Sequence, residues 1–534
     1  MRSRKYLINI NIYFFISAFI ISNFIISCGR LNQGRSFKLP PPPAPQIDAL
    51  TPVVASNVEW SWLSTDNSAD QGTGIFQYSL NNSEWSSDTL ALSYSPSTAL
   101  ATGFHTLRVK ERGSSGDWSD PSSFIIEVVD KIHDIYVYKN SAVKSFSFTD
   151  TDTNAVTITQ APSAASGTLD NEAHDGTTVS FDFTATAGFE GATQARLQID
   201  NGGAISKVVV IRITLLDQTT NNPSDDTYIG SLWGLQTIEA DYAWNYKTDC
   251  RNLLIGVIDT GINTRHEDLK DNIHYDLGKD FVNNDNNPFD DNGHGTHVAG
   301  TIAAVGNNET GVVGICWKAK LVALKTLNAS GVGTYSDMAE AISYAAANNI
   351  RVTNNSYGGT SADTDNFLGD AIDEARAAGH IFVAAAGNSA ADLDTTIGLP
   401  ADFAETKDNV ISVASIDASL ELSSFSNYGS TTVNIAAPGA AIYSTILSGY
   451  DNSSGTSMAC PHVAGAVAFL WSFDTSIAYT DIINYIRDNS DAAADGLDDK
   501  LIWTTGIYQN ARGQLNIFKA VEALLKDKGY LDEP

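Results

Sequence analysis

The sequence has few cysteines and few basic residues. Its 534 residues include only four cysteines, which are Cys28, Cys250, Cys316 and Cys460. None stands in a CxxC pair, so we expect neither a disulfide-rich scaffold nor a cysteine-based zinc site. Lysine and arginine number 32 against 62 acidic residues, which gives a formal net charge of −30.

This acidic balance excludes one class of partner. Nucleic-acid phosphates would be repelled by a chain of this charge, so we expect no nucleic-acid partner. A solvated acidic surface is the ordinary explanation of such charge. Binding of cations is the alternative, and the Asp- and Asn-rich loops described below are where it would occur.

Long apolar runs are scarce, and the pronounced one lies at the N-terminus. Residues 12–24 are mostly apolar but short for a membrane span, and three of the first five residues are basic, which is typical of an export signal. The run leads into Ile25-Ile26-Ser27-Cys28, which resembles the bacterial lipobox, whose cysteine is lipidated after cleavage. We predict a lipoprotein signal peptide over residues 1–27 and a membrane tether through Cys28. The protein would then be exported to the bacterial cell envelope, at the outer membrane or the cell surface. An ordinary signal peptide or an uncleaved anchor is the alternative.

The next part of the chain predicts a tether followed by two all-β units. Residues 28–46 are proline-rich and predict a stiff spacer. Short alternating apolar runs punctuated by Gly, Asn, Ser and Asp follow, which predicts β-sandwiches. Residues 47–129, with Gly103–Val109 and Asp117-Trp118-Ser119, resemble bacterial immunoglobulin-like or fibronectin-like modules. Residues 130–217 resemble cadherin-like or immunoglobulin-like repeats, in which Asp150 and Asp152 would be calcium ligands or solvated turn residues.

A different pattern begins after a polar linker at about residue 218 and continues to residue 534. Apolar runs of four to eight residues alternate with helical segments, which predicts an α/β domain with a buried parallel sheet. Predicted helices include Tyr335–Asn348, capped by Ser336 or Asp337, and Ser457–Trp471. Sites in such sheets lie at the carboxyl ends of the strands.

Three residues of this domain suit nucleophilic catalysis. Asp259 ends a predicted strand, His294 stands between glycines at a predicted helix start, and Ser457 stands at a loop-to-helix turn. Singly, each is explained by a cap or turn role. Together they fit one reaction, because a serine hydroxyl needs a base, an imidazole can take and return the proton near neutral pH, and a carboxylate can hold the imidazole tautomer.

The same reaction creates an oxyanion that needs preset hydrogen-bond donors. The backbone N–H of Ser457, at the positive end of its predicted helix, is one candidate. The side-chain amide of Asn388, which follows a predicted strand, is the other.

Four segments, in this order, resemble the subtilisin family of serine proteases. They are Val257–Gly261, His294–Gly300, Ala384–Asn388 and Gly455–Gly465. The resemblance extends over about residues 224–525 and implies a three-layer α/β catalytic domain behind the two β-sandwich modules. It also implies a serine endopeptidase that hydrolyses peptide bonds through an acyl-enzyme on Ser457. The order Asp259, His294, Ser457 and the oxyanion role of Asn388 are carried over from the family.

The resemblance also implies where a polypeptide substrate would bind. Two edge segments of the family pair with an extended peptide as an added strand, and their counterparts here are Gly331, Gly333, Tyr335, Ser356, Tyr357, Gly358 and Gly359. No acidic residue in these segments would select Arg or Lys. We therefore predict broad cleavage after large apolar or aromatic residues.

Two structural calcium sites are implied by the same resemblance. The first would take side-chain oxygens from Asp226, Asp268 and Asn308 and carbonyl oxygens from Val305, Thr310 and Val312, a set of hard ligands that suits Ca²⁺. The second, similar to a site of thermophilic members, would use Asp280, Asn283, Asp285 and Asn287, with an asparagine at 283 where those relatives have an acid. Ordinary turn chemistry is the alternative.

The sequence suggests structural roles for the three cysteines that follow Cys28. Cys250 and Cys316 precede two predicted strands that would be neighbours in the sheet, so a disulfide between them is a hypothesis for an oxidising compartment. Cys460 lies one helical turn past Ser457 and is expected to be buried packing.

Three questions stay open at this level. An adhesin-like binding protein with a dead protease fold is a rival, opposed by the intact Asp259, His294, Asn388 and Ser457. A different serine hydrolase, such as an esterase, is opposed by the glycine-lined cleft. The β units stand where secreted relatives have a folding propeptide, and whether they are shed, inhibitory or spacers is not decided.

Overall fold

A computed structural model describes most of the chain after the predicted tether. The described residues are 46–49, 53–54, 58–63, 75–112, 116–138, 144–149, 155–175, 177–187, 189, 191–200, 207–216, 224–360, 363, 366–492 and 513–531. The predicted signal peptide, Cys28, Asp150 and Asp152 lie outside them. Within these ranges no helix combines the length and the apolar character needed to cross a bilayer.

The first β unit contains two facing sheets. Its strands are β1 Gln46–Ala49, β2 Val53–Val54, β3 Trp60–Leu63, β4 Ile75–Leu80, β5 Ser93–Tyr94, β6 Gly103–Arg112 and β7 Ser122–Val129. The sheets have the orders β1-β3-β5 and β2-β7-β6-β4. Trp60 and Trp62 from the first sheet share one core with Phe76, Leu107 and Ile126 from the second, because alternate residues of a strand point to the same face.

The second β unit has the same construction. Its strands are β8 Lys131–Tyr138, β9 Lys144–Thr149, β10 Ala155–Gln160, β11 Gly167–His174, β12 Thr178–Ala185, β13 Gly191–Asp200 and β14 Lys207–Leu216. The sheet orders are β10-β13-β14-β8 and β11-β12-β9. Alternating residues such as Phe181, Phe183, Leu197 and Ile211 fill the space between the two sheets.

A nine-stranded sheet forms the centre of the described part of residues 224–531. Its strands are β15 Asp249–Asp259, β16 Lys279–Asp280, β17 Lys318–Lys325, β18 Val352–Asn355, β19 Ile381–Ala385, β20 Val410–Ile416, β21 Ile435–Pro438, β24 Asp491–Ala492 and β25 Gly513–Gln514, in the order β16-β17-β15-β18-β19-β20-β21-β25-β24. Neighbouring strands are parallel except β24 and β25. A separate hairpin joins β22 Ile442–Thr445 to β23 Tyr450–Ser453.

Helices cover both faces of this sheet and produce three layers. The helices are α1 Trp233–Thr237, α2 Ala240–Ala243, α3 His294–Ala303, α4 Tyr335–Ala347, α5 Phe367–Ala377, α6 Thr456–Trp471, α7 Tyr479–Asp488 and α8 Ile517–Asp527, with short 3-10 turns at Ile229–Ser231, Lys270–Asn272, Tyr275–Leu277 and Ala401–Glu405. Along β19, Ile381 and Val383 pack in the core with α3 and α6, whereas Phe382 and Ala384 pack with α4 and α5. The continuous apolar run in the sequence therefore reflects burial on both faces.

The cysteine hypotheses agree with the structure. Cys250 in β15 and Cys316 just before β17 form a disulfide across neighbouring strands, with their Cα atoms 5.8 Å apart. Cys460 is a buried free thiol, and burial raises its pKa to about 12, so it is not a reactive nucleophile at neutral pH.

Candidate active site

A buried carboxylate and a histidine meet at the carboxyl end of the central strand. Asp259 is the last residue of β15 and is fully buried. His294 begins α3, and its Nδ1 donates a hydrogen bond to Asp259 Oδ1 at 2.8 Å. Glycine is required at 295, because a Cβ there would lie 2.1 Å from the carbonyl oxygen of Gly261. The glycines around His294 thus let α3 approach the end of the strand.

The environment of His294 favours its charged form. Burial lowers the pKa of the imidazole, but the charge and hydrogen bond of Asp259, together with the charge of Asp290, outweigh burial and hold the pKa above its ordinary value. In the neutral form, we assign the proton to Nδ1 because it faces a carboxylate, which leaves Nε2 as the acceptor. The side chain of His294 is 30% exposed, so Nε2 can be reached by a substrate group.

Asp290 holds the loop that leads into His294, and the sequence reasoning missed it. Its fully buried carboxylate accepts hydrogen bonds from the backbone N–H groups of Asn292, Gly293 and Thr296 at 2.9 Å each, and from the hydroxyl of Thr260 at 2.8 Å. The carboxylate therefore ties the end of β15 to the start of α3. The only sequence signal was an acidic residue four positions before the histidine, and such a residue is usually explained by hydrogen bonds within a turn.

Ser457 lies in the first turn of α6 and faces a carbonyl group. Its Oγ donates to the backbone oxygen of Ser356 at 3.2 Å, and Ser356 Oγ donates to the backbone oxygen of Ser457 at 2.8 Å. The structure thus brings Asp259 and His294 into contact. The hydroxyl of Ser457, however, is hydrogen-bonded to the carbonyl of Ser356 and not to His294. Proton transfer to His294 requires this hydroxyl to leave the Ser356 carbonyl.

The side-chain amide of Asn388 is oriented by Thr456. Asn388 Oδ1 accepts hydrogen bonds from Thr456 N at 2.8 Å and Thr456 Oγ1 at 3.0 Å. Because the amide oxygen is engaged, the Nδ2 group is left as a donor. A Cβ at Gly455 would lie 3.2 Å from Asn388 Nδ2 and 3.6 Å from Ser457 N. The two predicted oxyanion donors therefore border the same small space.

Two cavities meet at these residues. One, of about 520 Å³, is lined by His294 and by every residue of the predicted substrate segments, Gly331, Gly333, Tyr335, Ser356, Tyr357, Gly358 and Gly359. The other, of about 340 Å³, is lined by Asn388 and Ser457 and shares Tyr357, Gly358 and Gly359 with the first. No charged side chain is among the described residues that line the smaller cavity. Its far wall, which includes Leu393 and Leu399, was not found from the sequence.

The ligands of the first predicted calcium site are close together. Asp226 and Asp268 are almost fully buried. Asp226 accepts hydrogen bonds from Asn308 N at 3.2 Å and from Asn307 N at 2.8 Å, and Asp268 accepts them from Asn308 Nδ2 and Val312 N at 2.9 Å each. Burial, with the charge of Asp226, raises the pKa of Asp268 to about 7.

This donor set fits a divalent cation. Two buried carboxylates are oxygen donors of the kind Ca²⁺ takes, and the charge of such an ion would offset the repulsion between the acids. Asn308 turns its Nδ2 to Asp268 and its Oδ1 to the N–H of Thr310, so its amide would have to turn for the oxygen to bind the ion. The loop 305–312 that would supply the carbonyls of Val305, Thr310 and Val312 wraps the same position. No group of three or more His, Cys, Asp or Glu side chains suited to a metal occurs in the described ranges, and this set has only two acids.

The second predicted site has the contacts of a turn. Asp280 accepts hydrogen bonds from Asn283 N at 2.9 Å and Asn283 Nδ2 at 2.8 Å, and Asp285 accepts one from Asn287 N at 2.8 Å. The backbones of Asp280 and Asp285 also pair with each other. These contacts satisfy the acids without an ion, so calcium at this position stays a prediction and turn chemistry explains the residues present.

Comparison with known proteins relates the chain to one family. Residues 251–503 match the Subtilase family. Thermitase from Thermoactinomyces vulgaris is 40% identical over 301 residues, which are 56% of this chain and 99% of that protein. Subtilisin DY from Bacillus licheniformis is 40% identical over 279 residues, covering 52% of this chain and 95% of its own. A thermophilic serine proteinase from Bacillus sp. (strain AK1) is 43% identical over 251 residues, which are 47% of this chain and 60% of that protein.

A methyl group at position 455 should displace the two predicted oxyanion donors. We expect Gly455→Ala to lower kcat for peptide hydrolysis by about 10²-fold, the cost of losing one oxyanion donor in such a site, with KM little changed. Gly230→Ala is the matched control, because a Cβ there meets nothing within 4 Å. Steady-state kinetics on a peptide substrate measures both. Equal kcat values in the two variants, with equal melting temperatures, would contradict this role of Gly455.

Proposed function

The chain belongs to the subtilase family of serine endopeptidases, and from that membership we propose that Ser457 is its nucleophile, with His294 as the general base and Asp259 as the group that orients His294. The observation that supports this assignment is the 2.8 Å hydrogen bond from His294 Nδ1 to the fully buried Asp259 carboxylate. It fixes the imidazole tautomer that accepts a proton at Nε2.

The proposed reaction has two halves. Ser457 Oγ leaves the Ser356 carbonyl, gives its proton to His294 Nε2 and attacks the peptide carbonyl carbon. Asn388 Nδ2 and Ser457 N stabilise the oxyanion. The C–N bond breaks as His294 returns the proton to the leaving amine, and the acyl group stays on Ser457. A water molecule, deprotonated by His294, then attacks the acyl carbon, and the bond to Ser457 Oγ breaks as His294 returns the proton to that oxygen.

We propose that the smaller cavity binds the side chain of the residue before the cleaved bond. Its volume of about 340 Å³ and its uncharged lining suit a large apolar or aromatic side chain. The segments that contain Gly331 and Gly358 would pair with the substrate backbone. Cleavage profiling of a peptide library tests this, and a profile dominated by basic residues would refute it.

We also propose that the protein is exported and lipid-anchored at Cys28. The N-terminal pattern supports this, and the Cys250–Cys316 disulfide fits an oxidising compartment. Residues 1–27 would be the signal peptide, 28–46 the tether, 47–129 and 130–217 immunoglobulin-like or cadherin-like modules, and 218–534 the peptidase domain. Unchanged fatty-acid labelling in Cys28→Ser would count against the anchor.

The decisive experiment compares casein hydrolysis by the native chain and by Ser457→Ala, with calcium present. We expect hydrolysis by the native chain and a loss of at least about 10³-fold in the variant. Folding of both is checked by their melting temperatures. A folded native chain without activity would favour the binding-protein alternative, and equal activity in the two would assign the nucleophile elsewhere.

The pH dependence should report the contact between Asp259 and His294. His294 must be neutral to accept a proton, so kcat/KM should fall as the pH drops through its pKa, which lies above the ordinary 6.5. Asp259→Asn removes the charge that raises this pKa and leaves burial, which lowers it. We therefore expect the acidic midpoint to move to lower pH while kcat falls by about 10⁴-fold. A midpoint that stays in place or rises would contradict the assignment.

We propose that Asp226, Asp268 and Asn308 hold a structural calcium ion, whose charge would offset the buried acids. EDTA should then lower the melting temperature by about 5 °C, and Ca²⁺ should restore it, since a ligand at 100 times its dissociation constant stabilises by about 2.7 kcal/mol. Asp268→Asn is the control and should lose the response to Ca²⁺. A native melting temperature that is the same in EDTA and in Ca²⁺ would refute the site.

A further inference from the structure

The second half of strand β8, from Ile135 to Tyr138, is buried on both of its faces. Strand β8 is an edge strand of its four-stranded sheet and pairs in parallel with β14, and the outer face of a sheet in a two-sheet sandwich normally contacts solvent. Ile135 and Val137 face the core of their own unit. Tyr136 and Tyr138, at 3% and 6% exposure, instead belong to the main core of the peptidase domain. The second β unit thus shares a hydrophobic core with the catalytic domain.

Polar contacts fix this shared core. Tyr136 N donates to the carbonyl of Tyr530 at 2.9 Å, and its ring centre lies 5.5 Å from that of Tyr246. The hydroxyls of Tyr138 and Tyr246 donate to Glu522 Oε1 at 3.1 and 2.8 Å. Glu522 therefore accepts one hydrogen bond from the second β unit and one from the catalytic domain. It would lose the hydrogen bond from Tyr138 if the two units separated.

The first β unit is joined to the catalytic domain by charges. Glu59 forms an ion pair with Lys320 and accepts a hydrogen bond from His274 Nε2 at 3.3 Å. Burial raises the pKa of Glu59, but the hydrogen bond from His274 and the charge of Lys320 outweigh burial and lower it to about 2. The hydroxyl of Ser93 also donates to Asp276. Glu59 is therefore charged and is paired with Lys320 across the boundary.

Both boundaries lie at the end of the sheet opposite the catalytic residues. Tyr246 precedes β15, which ends at Asp259. Phe473, whose ring centre is 5.9 Å from that of Tyr136, follows α6. At about 1.5 Å per residue, Phe473 lies about 24 Å along the helix axis from Ser457. Lys320 is likewise near the start of β17, whose last residue neighbours Asp259.

We propose that the two β units form a permanently docked base of the enzyme and are neither an inhibitory propeptide nor freely hanging modules. An inhibitory segment has to occupy the cleft, and these units are held at the far end of the strands. A segment that is shed has to leave a solvated surface, and loss of the second unit would expose the apolar faces of Tyr246 and Phe473. The proposal rests on the proposed function only for the position of the catalytic residues.

The test cuts the mature chain between the second β unit and the peptidase domain. A recognition sequence for a site-specific protease replaces residues 217–223, in a Ser457→Ala background so that self-digestion cannot occur. We expect the fragments to elute together in gel filtration at micromolar concentration. Tyr136→Ala should weaken their association about tenfold or more, since it removes a ring packed on two others. Phe104→Ala, which truncates a ring 73% exposed, is the matched control and should leave it unchanged.

The second part of the test measures the activity of the cut protein. In the active chain with the same recognition sequence, we expect kcat/KM to be the same within about twofold before and after the cut. Fragments that separate on cutting, an activity that rises when the N-terminal fragment leaves, or equal association in Tyr136→Ala and Phe104→Ala would overturn the proposal. An uncut chain that does not hydrolyse casein would count against the proposed function and would leave the association result intact.

Discussion

The hydrogen bond between the Asp259 carboxylate and Nδ1 of His294 is the interaction on which the candidate site depends. A carboxylate with no solvent exposure is costly unless it is paired, and here it receives Nδ1 of His294 and the N–H of Thr260. The pair sets the tautomer of the imidazole and raises its pKa. Asp290 makes the pair possible by fixing the loop before His294. The contact between the two side chains thus depends on β15 ending at Asp259 and α3 beginning at His294.

The parallel sheet supplies the remaining geometry. Strands β15, β18 and β19 run in the same direction, so Asp259, Ser356 and the segment that leads to Asn388 emerge at one edge. Helix α6 is buried along nearly all of its length, and its first turn presents Ser457 at that edge. Near the opposite ends of β15 and α6, Tyr246 and Phe473 pack against Tyr136 of the second β unit. In the proposed enzyme, one end of the sheet is therefore open for substrate and the other contacts the base.

Much of this could be predicted from the sequence, because the buried strands are continuous apolar runs and the catalytic segments are short and local. Two kinds of feature were missed, namely the residue at which a helix begins and contacts made only in the tertiary structure. Helix α4 is capped by Thr334, whose Oγ1 accepts from Asp337 N at 3.1 Å, so the prediction of Ser336 or Asp337 as the cap was wrong. Thr334, Ser336 and Asp337 are all residue types that cap helices, so the sequence alone does not choose between them. Tyr136 and Tyr138 alternate with Ile135 and Val137, as residues on the two faces of any strand do. No feature of the surrounding sequence indicates that the face with the tyrosines packs against a second domain.

In the proposed mechanism His294, held by Asp259, activates Ser457. This activation can be measured as the rate at which a fluorophosphonate modifies the protein, in the native chain and in His294→Ala, with the modified residue identified by mass spectrometry. We expect modification at Ser457 alone, slowed by about 10²–10⁴-fold in the variant. Modification of a different residue, or equal rates at Ser457 in the two proteins, would contradict the proposed mechanism.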